Sequence, residues 1–117
     1  LNSDLKKIKY NSHEIYSSKV EDKIKLSLFE DEKELSIEGV GNGPIDAFIN
    51  ALNSHLSSDF KVSDYHQHSI SSGSDASAVA YIEIQNTSAS DWGAGIDPNT
   101  TVASYKAILN CLNKILS

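Results

Sequence analysis

The alternation of apolar and polar positions changes period along this chain, and the changes divide it into elements. Ile24, Leu26 and Leu28 alternate with polar residues, the pattern of a half-buried strand. Glu30-Asp31-Glu32-Lys33 is a turn. Leu35 and Ile37 then carry the alternation on to Gly39, which predicts a hairpin with one dry and one wet face. A looser alternation through Ile8, Tyr10, Ile15 and Tyr16 places a first strand within residues 5–18. At Gly41-Asn42-Gly43-Pro44 the period shifts. Pro44 suits a first helical turn, where its missing N–H is not needed. Ile45, Phe48, Ile49, Leu52 and Leu56 follow at helical spacing, and Ser57-Ser58-Asp59 ends the helix.

The same succession then recurs. From Phe60, Val62, Asp64, His66 and His68 fall on one side of a strand, with Lys61, Ser63, Tyr65 and Gln67 on the other. Ser71-Ser72-Gly73-Ser74-Asp75 reads as a loop, and Ala76 to Ile84 as a strand with Ala78, Ala80 and Ile82 on one face. Trp92 to Ile96 is a short last strand. Asp97-Pro98-Asn99 opens a helix striped by Val102, Tyr105, Ile108, Leu109, Leu112, Ile115 and Leu116. Gly39, Gly41 and Pro44 recur at one constant offset as Gly93, Gly95 and Pro98. Tyr10, His13 and Ile15 recur, at an offset longer by a single position, as Tyr65, His68 and Ile70. The chain is therefore expected to be α+β: two repeated βββα units, forming antiparallel sheets packed with two helices about a pseudo-two-fold axis. Repeat one spans about 9–58 and repeat two about 59–117.

Composition narrows the function. The 117 residues suit one domain's worth of core. A net charge of −6 repels phosphate backbones, which argues against nucleic acid. No apolar run approaches the roughly 20 residues that span a bilayer, which argues against a membrane partner. The single cysteine, Cys111, has no internal disulfide partner, which points to the cytoplasm. The chain contains no methionine, so it reads as a fragment of something longer, with residues 1–8 a linker remnant.

The candidate chemistry is sparse. Gly-Asn-Gly-Pro before a helix reads either as a phosphate cradle or as a tight turn needing positive φ. Its glycine spacing is not that of the dinucleotide fingerprint. His66 and His68 share a strand face and could chelate a metal, but no Cys or carboxylate cluster completes a ligand set. The serine-rich stretch 71–75 lacks the surroundings of a nucleophile, although a hydrolase using His68 and a serine is a competing class. Trp92 reads as core or interface, and Cys111 as a packed thiol. Ala76, Ala78 and Ala80 read as tight sheet packing or as the floor of a pocket for a branched aliphatic side chain.

Three segments together carry a family resemblance. Gly39-Val40-Gly41-Asn42-Gly43-Pro44-Ile45-Asp46-Ala47-Phe48 resembles the G-x-GNGP-hydrophobic-x-A-F segment of the C-terminal regulatory domain of 2-isopropylmalate synthases. Asp64-Tyr65, His68, Ser72-Gly73, Asp75-Ala76, Ala78 and Ala80-Tyr81-Ile82-Glu83 resemble its second segment. Trp92-Gly93-Ala94-Gly95-Ile96, Thr101, Ala103-Ser104 and Lys106-Ala107 resemble its third. The resemblance runs from about residue 8 to the end.

The resemblance implies a non-catalytic regulatory domain that forms a homodimer and binds L-leucine for feedback inhibition. It further implies a catalytic barrel of the same full-length chain, which condenses acetyl-CoA with 2-oxoisovalerate using a divalent metal, and no cofactor within this fragment. Citramalate synthases carry a similar domain that senses L-isoleucine; a stand-alone amino-acid-binding module is the other alternative. Carried over by motif position, the effector-binding residues are Gly41, Asn42, Ile45, Asp46, Val62, Tyr65, Ser69, Ala76, Ala78 and Ile96; no catalytic or metal residue is carried over. Ser69 departs from the alanine common in the family. On this reading Gly41-Asn42 and Ile96-Asp97 converge on one effector near the pseudo-two-fold axis. Backbone N–H groups hold its carboxylate, Asp46 or Asp97 pairs with its ammonium, and Ile45, Val62 and Ile96 enclose its side chain.

Overall fold

A computed structural model describes residues 7–72 and 75–116, with the side chains of 71, 72 and 75 left out of account. The linker assigned to residues 1–8 falls almost wholly outside the described residues, as do Gly73 and Ser74. The chain forms two compact units, residues 7–60 and 61–116 in their described parts, and each is built as βββα.

The first unit contains β1 (Ile8–Ser17), β2 (Asp22–Glu30), β3 (Lys33–Gly41) and α1 (Pro44–Leu56). The strands form an antiparallel sheet in the order β1-β2-β3. Ile24, Leu26 and Leu28 of β2 are buried together with Ala47, Phe48, Ala51 and Leu52 of α1, as the two periods require. The hairpin turn is Asp31-Glu32, both at positive φ, 50° and 74°. That is the twist a two-residue hairpin loop demands, although neither residue is the glycine that adopts it most readily. The helix starts at Pro44 as expected. It ends where Ser57 turns left-handed; the Asn53 side chain then bonds both the N–H and the C=O of Phe60, at 2.9 Å each, and fixes the exit of the chain.

The second unit contains β4 (Lys61–Ser72), β5 (Asp75–Gln85), β6 (Ser90–Asp97) and α2 (Thr100–Ile115), with the sheet in the order β4-β5-β6. Ala78, Ala80, Ile82 and Ile84 are buried with Ala103, Ala107, Ile108, Cys111 and Leu112 of α2. The fold is therefore α+β, with two antiparallel three-stranded sheets and two helices. No described helix is long and apolar enough to cross a membrane.

The structure corrects the pattern at several points. The expected loop at 71–75 is shorter, because Ser71 pairs with Ala76 and Ser72 with Asp75. Small polar residues follow strand geometry wherever a partner ladder extends to them. Ser63 is a bulge: Val62 pairs with Ile84 while Asp64 pairs with Glu83. The extra residue shifts the alternation, so Val62 shares the helix-facing side with Tyr65, Gln67 and Ser69 rather than with Asp64, His66 and His68. A second bulge in β1, between Tyr10 and Ser12, breaks the correspondence of His13 with His68. His13 pairs with buried Leu26, whereas His68 stands on the outer face beside Tyr81. The final helix begins at Thr100, capped by the Asn99 side chain on Val102 N–H at 3.0 Å, so Pro98 precedes the helix instead of opening it.

The glycines owe their positions less to turning than to close approach. Among the described glycines only Gly43 has positive φ, 155°. Gly39, Gly41, Gly93 and Gly95 are strand residues on which the helices rest. A Cβ on Gly93 would lie 2.2 Å from the Ala107 carbonyl oxygen, and one on Gly39 would lie 2.5 Å from that of Ala47. Gly39 meets Ala47 and Ala51, and Gly93 meets Ala107 and Cys111, so these helix positions correspond. Ala47 lies in the first turn of α1, whereas Ala107 lies a full turn further into α2. The longer α2 thus has about one more turn ahead of its glycine contact than α1 does.

Candidate functional site

In the first unit four of the candidate residues meet at the start of α1. Gly41 ends β3 so close to the helix that a Cβ there would lie 2.5 Å from Ala47 N and 2.7 Å from the Asp46 carboxylate. That carboxylate accepts the Asn42 N–H at 2.9 Å. Gly43 caps the helix with no side-chain bond, and Pro44 follows as the first helical residue. Asp46, in the first turn, places negative charge at the positive end of the helix and reaches back to the chain before the cap, a variant of the capping box shifted by one residue. Ile45 is half-buried beside it, and Asp46 and Asn42 are exposed.

In the second unit Val62, Tyr65, Ser69, Ala76 and Ala78 lie on the helix-facing side of β4 and β5. The Tyr65 hydroxyl is 2.9 Å from Ser104 Oγ, and Ser104 Oγ donates to the Thr100 carbonyl at 3.2 Å. Gln67 Nε2 donates to the same carbonyl at 3.1 Å. Two side chains of β4 therefore hold the first turn of α2. Ala78 is 2% exposed and serves as packing beneath α2. Ala76 is exposed.

Ile96 does not join this group. It pairs with Val79 and stands on the opposite face of the sheet, 56% exposed. Asp97 is engaged twice: Oδ1 accepts the Asn99 N–H at 2.9 Å, and Oδ2 pairs with the Lys106 ammonium at 2.8 Å. The Lys106 contact holds the Asp97 carboxyl below its usual range.

The outer face of the second sheet carries His66 stacked on Trp92, with ring centroids 6.0 Å apart, and His68 edge-on to Tyr81 at the same distance. Trp92, read as core or interface, is 39% exposed. His66 pairs with Asp64 at 3.3 Å, but among the described residues no three His, Cys, Asp or Glu side chains cluster as metal ligands. Two surface depressions in the first unit have volumes of about 450 and 480 Å³; the residues lining them include none of the ten candidates.

Sequence reasoning missed Asn50 and Asn110. Asn50 Nδ2 donates to the Val40 carbonyl at 2.8 Å, and Asn110 Oδ1 accepts the Ala94 N–H at 3.0 Å. Counted from Ala47 and Ala107, they occupy the same place on the two helices, and each bonds the outward backbone of a third strand. A polar residue on an exposed helix face gives no hydrophobic signal; only the helix correspondence could have found the pair.

The structure defines a duplicated α+β domain, with a carboxylate–amide contact at one helix start and two strand side chains holding the other. The family model of the LeuA allosteric (dimerisation) domain matches residues 1–116, and the chain belongs to that family. It is 48% identical over 80 residues to the 2-isopropylmalate synthase of Agrobacterium fabrum, covering 68% of this chain and 14% of that protein. With the 2-isopropylmalate synthase of Kineococcus radiotolerans the identity is 44% over 95 residues, 81% of this chain and 16% of the relative. With that of Parafrankia sp. it is 42% over 98 residues, 84% and 17%. The chain thus spans only about a sixth of the length of these relatives.

Proposed function

We propose that this chain is the regulatory domain of a 2-isopropylmalate synthase, that it dimerises, and that it binds L-leucine to inhibit condensation of acetyl-CoA with 2-oxoisovalerate in a catalytic domain of the same protein. The observation that carries the reading is membership of an allosteric, dimerising family over residues 1–116, with relatives named for that enzyme. Of the ten residues, Gly41, Asn42, Ile45 and Asp46 at the start of α1 and Val62, Tyr65, Ser69 and Ala76 on the helix-facing side of the second sheet are the proposed contributors; Ala78, packed beneath α2, and Ile96, on the opposite face, are proposed on the family resemblance alone.

The Asn42–Asp46 contact supports a specific division of labour. An amino acid carries both a carboxylate and an ammonium. The carboxylate takes the Asn42 N–H at the positive helix end, and the displaced Asp46 carboxylate accepts the ammonium. Asp97 is the weaker ammonium partner because Lys106 already neutralises it. Burial of the aliphatic side chain contributes roughly 1.5–3 kcal/mol. A single methylene separates related aliphatic ligands by only about 1–3 kcal/mol, so isoleucine is the natural competitor.

Calorimetric titration with leucine, isoleucine and 4-methylpentanoate tests this. Leucine should bind more tightly than isoleucine, and the deaminated analogue should bind weakly or not at all. Asp46→Asn should weaken leucine about 10- to 100-fold, the worth of a charge-assisted bond, while Asp97→Asn should change it little. Absence of binding by both amino acids would overturn the reading, and tighter binding of isoleucine would reassign the effector.

A further inference from the structure

The four outer strands of the two sheets are treated unequally. The outward backbone of β3 is capped by Asn50 on the Val40 carbonyl. That of β6 is capped twice, by Asn110 on the Ala94 N–H and by the Lys114 ammonium on the Trp92 carbonyl at 2.9 Å. β1 carries Lys9 and Glu14 and is broken in mid-strand by its bulge. Charges, bulges and side-chain caps are the devices by which proteins keep sheet edges from pairing with other chains.

β4 has these devices only at its start. Lys61 and Asp64 flank the bulge at Ser63, and the Asp64 carboxylate takes the Tyr65 N–H at 2.8 Å. From there the strand runs to Ser72 with no formal charge, no proline, no glycine and no register shift. It is the longest strand described, among the described residues it pairs only with β5, and residues 63–70 are exposed. Among the described residues, no side chain or strand bonds the outward backbone of His66–Ser72.

We infer that the β4 edge is where a second copy of this chain docks, with His66–Ser72 of the two copies pairing antiparallel across a two-fold axis. The inference rests on the dimer proposed above and names its surface. A two-fold interface requires a patch complementary to itself, and an open strand edge paired antiparallel meets that requirement through its backbone alone. A chain of net charge −6 repels its own copies, so an uncharged edge is where two of them approach with least penalty. The caps on β3 and β6 leave those edges unsuited to the same contact.

Residue-resolved amide hydrogen exchange, run beside sedimentation over a range of concentrations, tests this directly. In an edge strand every second N–H points outward and exchanges quickly; in a strand paired on both sides none does. The expected result is a dimer in which all amides of 66–72 become protected as the dimer forms. A dimer in which every second amide of 66–72 still exchanges quickly would overturn the edge and leave the dimer standing. A monomer at all concentrations would overturn both. The double variant His66→Lys/Ile70→Lys places like charges across the proposed contact from two exposed outer-face positions. It should raise the dissociation constant at least about tenfold with the circular dichroism spectrum unchanged; an unchanged constant would also overturn the inference.

Discussion

Replacing Gly93 by alanine should damage this fold more than any other single-methyl addition to the described glycines, and the size of the effect follows from where β6 meets α2. The new Cβ would lie 2.2 Å from the Ala107 carbonyl oxygen, 2.5 Å from Cys111 N and 2.6 Å from Cys111 Cβ. Two of these are helix backbone atoms, so no rotamer change relieves them. Restoring ordinary contact near 3.5 Å requires α2 to retreat by about 1 Å. Ile108 and Leu112 of α2, and Ile82 and Ile84 beneath them, are fully buried and would lose their fit together. Overpacking costs about 1–3 kcal/mol, and a clash on backbone belongs at the upper end. For a domain of this length each kcal/mol lowers the melting temperature by about 3–6 °C, so a cost of about 3 kcal/mol gives an expected fall of about 9–18 °C. Gly43→Ala is the matched control. Nothing lies within 4 Å of its Cβ, so only the φ of 155° resists it, at about 1–2 kcal/mol. Thermal melts followed by circular dichroism compare the two. If Gly93→Ala melts within about 2 °C of the parent chain, the close approach of α2 to β6 is not what positions these glycines.

Glu32→Gly should stabilise the chain by about 1 kcal/mol, because it relieves a left-handed non-glycine residue in the hairpin turn; a lowered urea midpoint would contradict this. Burial pushes the His13 imidazole below its ordinary pKa of 6.5, so as pH falls the unfolded chain takes up a proton there before the folded one does. Stability should therefore drop as pH descends through 6.5, and His13→Gln should flatten that part of the profile in urea titrations at several pH values. Burial also pushes the Cys111 thiol up, so iodoacetamide should label it only at the rate of unfolding, accelerating sharply in denaturant; rapid labelling of the native chain would contradict its burial.

The succession of elements and the family were legible in the amino-acid order. Strict alternation through Ile24, Leu26 and Leu28, and helical spacing after Pro44, are signals of burial, and burial on one face is what periodicity reports. The glycine correspondence was legible directly from the constant offset, and the segments resembling the family lie on β3, β4, β5, β6 and the helix starts. The faces of β4 were settled only when the chain folded. Its residues are polar and exposed, so no apolar period marks the bulge at Ser63, and one extra residue moved Val62 to the side of Tyr65 and left the histidines outside. Packing likewise explains why the glycines stand where they do, because the space a Cβ would fill is occupied by the backbone of a helix on another element. It also brought Asp46 onto the Asn42 amide and Lys106 onto Asp97. Periodicity records which side of an element meets the core; it carries no information on which polar groups meet each other, since that depends on distances between elements that only the folded chain sets.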